Sequence, residues 1–221
     1  MKILIISSLI VTSFLLSGCG EETTAEKTPS ASLSSAYNLR SLATLETTIN
    51  LTGEDSNGGN WSGLTSSPNR GIDYYNGYEF KLRETYVQLQ EVGSGYSSSD
   101  ISKSYLNEND IPYYMVSASG LVCELTNDAS ALPTNAQIGD FGEAGSYTCS
   151  DGSEIKSNWQ LTSDKGNAVY IFTMNSSVNG SIIYTNKSKL LLDGNGSPMK
   201  VELLYFYPDS GVKLTLKGNV E

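Results

Sequence analysis

The sequence predicts an all-β fold, either an antiparallel β-sandwich or a flattened barrel, with at most one short helix. Short runs rich in Val, Ile, Leu, Tyr and Phe alternate with turn clusters through the C-terminal half of the chain. Several of these clusters contain Asn-Gly or Asp-Gly, which supply the positive φ angles of tight hairpins. The strands are therefore expected to follow one another as an antiparallel meander.

The expected strands of the C-terminal half lie between these turn clusters. Near the end of the chain, Val212, Leu214 and Leu216 alternate with polar residues, which is typical of a strand with one buried and one solvated face. The expected strands cover residues 121–125, 146–149, 155–161, 168–174, 181–185, 189–192, 200–207 and 212–217.

The N-terminal half predicts two further strands and one helix. Apolar and polar residues alternate over residues 45–51, and a long strand or hairpin arm is expected over residues 80–92. The segment 98–100 reads Ser-Ser-Asp, which is a typical helix cap. We therefore expect the short helix over residues 101–106.

The first nineteen residues have the order of an export signal, with Lys2, an apolar run over residues 3–16 and then Leu16-Ser17-Gly18-Cys19. This order resembles the signal of bacterial lipoproteins, whose lipobox is Leu, two small residues and Cys. The resemblance covers these residues alone, and it implies that residues 1–18 are removed and that Cys19 is acylated. The apolar run is shorter than the roughly 18 residues of a membrane-spanning helix.

The resemblance also implies a location in the cell envelope. Gly20 stands where an Asp retains enterobacterial lipoproteins in the inner membrane, so the outer membrane is expected, with the domain facing the periplasm or the cell surface. The lipid-anchored segment 19–36 is polar and has too little apolar surface to fold, so we interpret it as a flexible tether. Residues 37–221 are expected to form a single all-β domain.

Composition excludes several function classes. Removing residues 1–18 removes Lys2 and no acidic residue, so the formal net charge of −10 becomes −11. Nucleic acid is therefore a poor partner, because it is bound through clustered Lys and Arg. The chain contains no His, which excludes His-based nucleophile activation and His-ligated metals. We predict no cofactor, no metal centre and no enzymatic activity.

Three cysteines are present, and Cys19 is assigned to the lipid anchor. Cys123 and Cys149 are left as a pair in an exported chain, which predicts a disulfide bond in an oxidising compartment. A calcium site remains open at residues 54–57 and 193–195, whose oxygen-rich sequences also fit ordinary Asx turns.

Aromatic residues provide the candidate binding surface. Trp61 precedes a cluster in which Tyr74, Tyr75 and Tyr78 surround an Asn-Gly turn. Tyr and Trp on loops present a large rigid area with a polar tip, although Tyr is also a common strand residue. The favoured function is a non-catalytic interaction or structural domain with an envelope protein as partner. A glycan or small-ligand binding module is the alternative, and a carboxylate-based hydrolase is the least favoured.

Overall fold

A computed structural model of the chain describes residues 36–43, 46–127 and 129–220. The predicted signal peptide, Cys19 and the tether up to residue 35 lie outside the described residues. The described part contains one helix and thirteen strands. They are α1 (Leu39–Ala43), β1 (Thr48–Asp55), β2 (Asn60–Ser66), β3 (Asn69–Tyr75), β4 (Tyr78–Glu91), β5 (Ser97–Leu106), β6 (Pro112–Val116), β7 (Val122–Leu125), β8 (Phe141–Cys149), β9 (Glu154–Asp164), β10 (Asn167–Val178), β11 (Ser181–Leu192), β12 (Pro198–Tyr207) and β13 (Val212–Asn219).

The strands form one antiparallel sheet that closes on itself as a 12-strand barrel. Strands β4 to β13 pair in chain order, and β13 pairs with β1. The ring is completed because β1 pairs with β2, and β2 pairs with β4. β2 and β3 lie end to end along β4, so together they occupy one position in the barrel. The prediction of an all-β fold is confirmed, and a barrel takes the place of the sandwich.

Alternation along the strands separates the barrel interior from its outer face. On β11, Tyr184, Leu190 and Leu192 are buried, while Lys187 and Lys189 between them are only half-buried. The predicted pattern of the last strand is also present, since Leu216 is fully buried. The interior is therefore filled largely by apolar and aromatic side chains.

Glycines allow the strands to approach closely where the barrel closes. A Cβ atom at Gly53 on β1 would collide with the backbone oxygen of Thr215 on β13. A Cβ atom at Gly63 on β2 would likewise collide with the backbone oxygen of Gln88 on β4. Glycine inside a strand often marks a bend at a barrel corner. The closure between β13, β1, β2 and β4 thus requires the absence of a side chain at these positions.

The two ends of the barrel differ. We call the end where β1 begins and β13 ends the helix end, because α1 and the described part of the β7–β8 loop (residues 126–127 and 129–140) lie across it. Leu39 and Leu42 of α1 are buried in the main core, and the Leu39 amide donates a 2.9 Å hydrogen bond to the Pro133 carbonyl. Tyr37 pairs with Ala136 of the loop. At the opposite end the strands are joined by turns of two to five residues.

Two expectations about secondary structure were wrong. Residues 101–106 are the second half of β5 and not a helix, because their backbone pairs with both β4 and β6. The helix is α1 instead, where the Asn38 side chain caps the first turn by accepting a 3.2 Å hydrogen bond from the Ser41 amide. β11 is one continuous strand, whereas the sequence predicted two strands separated at residues 186–188. The polar side chains Asn186 and Ser188 point into the interior.

Among the described residues, no helix has the length and apolar character that a membrane crossing requires.

Candidate ligand-binding cavity in the barrel

The described residues form a cavity inside the barrel near the helix end. Its volume is about 90 Å³. A cavity of about 150 Å³ holds a molecule of the size of benzene, so this one suits a ligand of only a few non-hydrogen atoms. Its walls come from β4, β5, β6, β8, β9 and β10, while the β5–β6 turn and the β7–β8 loop cover it at the helix end.

The register of the strands places the lining side chains in rows. Arg83 on β4 lies opposite Ser104 on β5, and Ser104 lies opposite Met115 on β6. Thr85 is the next residue of β4 on the same face as Arg83. The apolar part of the lining includes Met115, Leu132, Tyr147, Phe172 and Met174.

Arg83 is the buried cation of the cavity. Arg83 is only 9% exposed, and its buried Nε atom has no hydrogen-bond partner. No carboxylate of the described residues forms an ion pair with it. Burial lowers the pKa of the guanidinium, and attraction to Glu46 and Asp110 opposes this shift. A buried cation without a contacting anion is costly, so this position is one where a bound anion would be stabilising.

Asp110 lines the same cavity, but its carboxylate forms ion pairs with Arg40 and Lys81 and not with Arg83. Its Oδ1 atom lies 2.7 Å from Nζ of Lys81, and its Oδ2 atom lies 2.9 Å from Nη2 of Arg40. Burial acts to raise the pKa of Asp110, yet the hydrogen bonds from Lys81 and Arg40 outweigh it and lower the pKa below its ordinary value. Asp110 therefore stays ionised near neutral pH and fastens α1 to the β5–β6 turn.

The remaining polar groups of the lining are neutral. The hydroxyls of Ser67 and Thr85 lie 3.1 Å apart, within hydrogen-bond distance. Ser157 Oγ donates a 2.8 Å hydrogen bond to the Gly145 carbonyl. Burial raises the pKa of the Tyr147 phenol, which keeps it protonated. Among the described lining residues, Arg83 is thus the charged group without a contacting counterion.

Arg83 is not among the site residues predicted from the sequence. Comparison of the chain with protein-family models, curated proteins and solved structures finds no match. The buried cation and the cavity around it are therefore the observations from which a function is inferred.

A second set of buried polar atoms lies elsewhere in the interior. Asp100 Oδ2, Ser188 Oγ and Tyr205 OH have no hydrogen-bond partner among the protein groups, and none of the three residues lines the cavity. Burial raises the pKa of the Asp100 carboxyl, and backbone hydrogen bonds at Ile101 and Ala118 oppose this shift. Burial also raises the pKa of the Tyr205 phenol.

The four predicted aromatic site residues do not form a single surface. Trp61 is the second residue of β2, at the opposite end of the barrel, where its Nε1 atom donates a 2.8 Å hydrogen bond to Asp55. Tyr74, Tyr75 and Tyr78 lie at the tip of the β3–β4 hairpin. Tyr74 and Tyr78 are 66% and 68% exposed, so two of the four remain available as a contact surface.

Tyr75 is packed on the outer face of the barrel. Its ring centroid lies 4.6 Å from that of Tyr105 and 4.7 Å from that of Tyr114. Phe80 and Leu82 belong to the same group, and we call these five residues the outer aromatic cluster. Tyr75 is therefore half-buried although it lies at a hairpin tip, because the hairpin folds its end against β5 and β6.

We expect Tyr75→Ala to lower the free energy of unfolding by about 1–3 kcal/mol, since two aromatic contacts of about 0.5–1.5 kcal/mol each are lost. Tyr74→Ala is the matched control at the neighbouring exposed position, and it should change the free energy by less than about 0.5 kcal/mol. Urea unfolding of both variants measures the difference. Equal losses at the two positions would contradict the packing role of Tyr75.

The predicted disulfide is present. Cys123 on β7 is bonded to Cys149 on β8, and the two residues are cross-strand partners.

At the proposed calcium turns, Asp55 Oδ1 accepts a 2.8 Å hydrogen bond from the Asn57 amide, and Asp193 Oδ1 accepts one of 2.8 Å from the Asn195 amide. These contacts are those of Asx turns. The described residues contain no cluster of three or more acidic or Cys side chains that could hold a metal ion.

Proposed function

We propose that this chain is a membrane-anchored, non-catalytic lipoprotein of the cell envelope whose barrel binds a small ligand in its interior. The observation that carries the proposal is Arg83, which is 9% exposed, lines a cavity inside the fold and contacts no carboxylate of the described residues. Small-molecule sites are usually concave and mostly apolar, with a few placed polar groups. The lining around Arg83 has this composition.

The chemistry of the cavity favours binding over catalysis. The chain has no His to serve as a general base near neutral pH. Asp110 is the carboxylate of the described lining, and its lowered pKa makes it a weak proton donor or acceptor at neutral pH. Its two cationic partners, Arg40 and Lys81, give it a structural role at the helix end.

Filling the cavity tests the proposal. Ser104→Leu adds an apolar side chain between Arg83 and Met115, so we expect it to abolish ligand binding. Ser99→Leu is the matched control, because it makes the same change at an exposed position of the same strand. Native mass spectrometry of the mature protein purified from envelopes, with thermal-shift screening of small organic compounds, measures binding. A ligand at about 100 times its Kd adds about 2.7 kcal/mol of stability.

Melting curves first establish that each variant is folded, and Ser104→Val replaces Ser104→Leu if the larger side chain prevents folding. Equal binding by the wild type and both variants would contradict an interior site. Retention on cell-wall glycan or an envelope protein that survives cavity filling would favour the second candidate, a contact surface at the exposed Tyr74 and Tyr78.

The proposed anchor has a separate test. Cys19→Ala should prevent incorporation of a fatty-acid analogue and leave the precursor uncleaved, because the lipobox resemblance makes the Cys19 thiol the acylated group. Equal labelling of wild type and variant would contradict the anchor.

A further inference from the structure

The charge inside the cavity restricts the ligand to an anion with a low charge. Arg83 supplies one buried positive charge without a contacting carboxylate. Arg40 and Lys81 share the single carboxylate of Asp110, and their side chains are 33% and 41% exposed, so water screens their remaining charge. One buried cation can balance one negative charge, and a second uncompensated charge would carry a large desolvation cost. The cavity therefore suits a monoanion better than a phosphate or sulfate dianion.

The geometry of the cation favours a carboxylate. A guanidinium is planar and binds a carboxylate through two parallel hydrogen bonds. Arg83 lines the cavity and no carboxylate of the described residues contacts its guanidinium, so this group is left for a ligand carboxylate. Neutral hydroxyls at Thr85 and Ser104 lie beside Arg83 on the barrel wall. They add polar surface without adding charge.

The rest of the lining suits a compact apolar body. Met115, Phe172 and Met174 lie along the wall, and Met side chains adapt their shape to the group that they contact. The volume of about 90 Å³ accommodates a molecule of roughly four or five non-hydrogen atoms and excludes a long-chain fatty acid.

We infer that the barrel binds a small monocarboxylate, with its carboxylate on Arg83 and its apolar body against Met115, Phe172 and Met174. This inference rests on the proposed function and deepens it by naming the ligand class. Arg83 sets the specificity for the charged end, and the apolar wall sets the size limit.

Two pairs of probes test the inference: acetate with acetamide, and propionate with propionamide. Each amide has nearly the shape of its acid but carries no charge. Titration calorimetry on the mature protein at pH 7 should show that at least one carboxylate binds at least about tenfold more tightly than its amide, as expected for a hydrogen bond to a charged group. Arg83→Gln should remove this preference and leave the affinity for the amide within about threefold. Arg70→Gln is the matched control, because Arg70 pairs with Glu84 on the outer face.

Arg83→Lys keeps the charge but loses the planar guanidinium, so it should retain only part of the preference and serves if Arg83→Gln fails to fold. Equal affinity of the wild type for acid and amide, unchanged in Arg83→Gln, would overturn the carboxylate assignment. If Ser104→Leu then abolishes binding of both the acid and the amide, the proposal of an interior binding site still stands. Tighter binding of inorganic phosphate than of either carboxylate would also overturn it. If no probe binds and the cavity screen finds no other ligand, the proposed function fails together with the inference.

Discussion

We expect Tyr205→Ala to lower the free energy of unfolding by about 3–5 kcal/mol, as is usual for truncating a buried aromatic side chain. Tyr205 is 2% exposed and belongs to the main core of the barrel. It lies on β12 opposite Asn186 of β11 and Leu214 of β13, so its ring fills space between three strands. Chemical unfolding monitored by intrinsic fluorescence measures the loss.

Tyr205→Phe is the matched control for the ring. The Tyr205 hydroxyl has no hydrogen-bond partner among the protein groups, so removing it breaks no protein contact. We therefore expect Tyr205→Phe to change the free energy of unfolding by less than about 1 kcal/mol. A loss as large as that of Tyr205→Ala would show that the hydroxyl carries the stability, and would contradict the assignment to ring packing.

The strands were largely predictable because their signals are local. Alternation and turn residues depend on neighbours in the chain, and the Asn179-Gly180 turn between β10 and β11 illustrates this. Both residues adopt positive φ angles, 51° and 79°, as the Asn-Gly pair predicts. The same reasoning placed the last strand, where Leu216 is buried.

Closure of the barrel was not predictable, because it depends on contacts between distant parts of the chain. β1 and β13 pair across almost the whole domain, with Gly53 opposite Leu216. Neither residue carries a local signal for this partner. The helix predicted over residues 101–106 was wrong for the same reason. Serine before an apolar run favours a helix cap, but in the barrel Ser102 and Ser104 of β5 are buried residues that face inward.

The interior position of Arg83 could not be predicted from the sequence for a related reason. It shares one face of β4 with the buried Val87 and Leu89, a pattern that places a cation on an interior face. The opposite face carries Leu82, which is also buried because the β3–β4 hairpin covers the outer aromatic cluster. With apolar residues on both faces, alternation alone does not show which face is interior, and only the closed barrel identifies it.

Removal of the disulfide is the other change with a large expected effect. The bond joins residues 26 positions apart, and closing a loop of this length stabilises the folded state by about 3.5 kcal/mol on the chain-entropy model. The double variant Cys123→Ala/Cys149→Ala should lose about this much. Alanine is the appropriate replacement because Cys123 is fully buried and Cys149 is 4% exposed. Urea unfolding of the oxidised wild type and the variant measures the loss.

The same variant should weaken ligand binding, because the disulfide packs in one cluster with Met115, Tyr147 and Met174, which also line the cavity. Reduced wild type is the control, since it lacks the cross-link but keeps both sulfur atoms in the core, and it should lose similar stability. Labelling of both thiols by an alkylating reagent in denatured, exported protein would contradict the bond in that compartment. A stability loss below about 1 kcal/mol in the double variant would show instead that the short β7 strand is held by its packing and backbone pairing, without need of the covalent link.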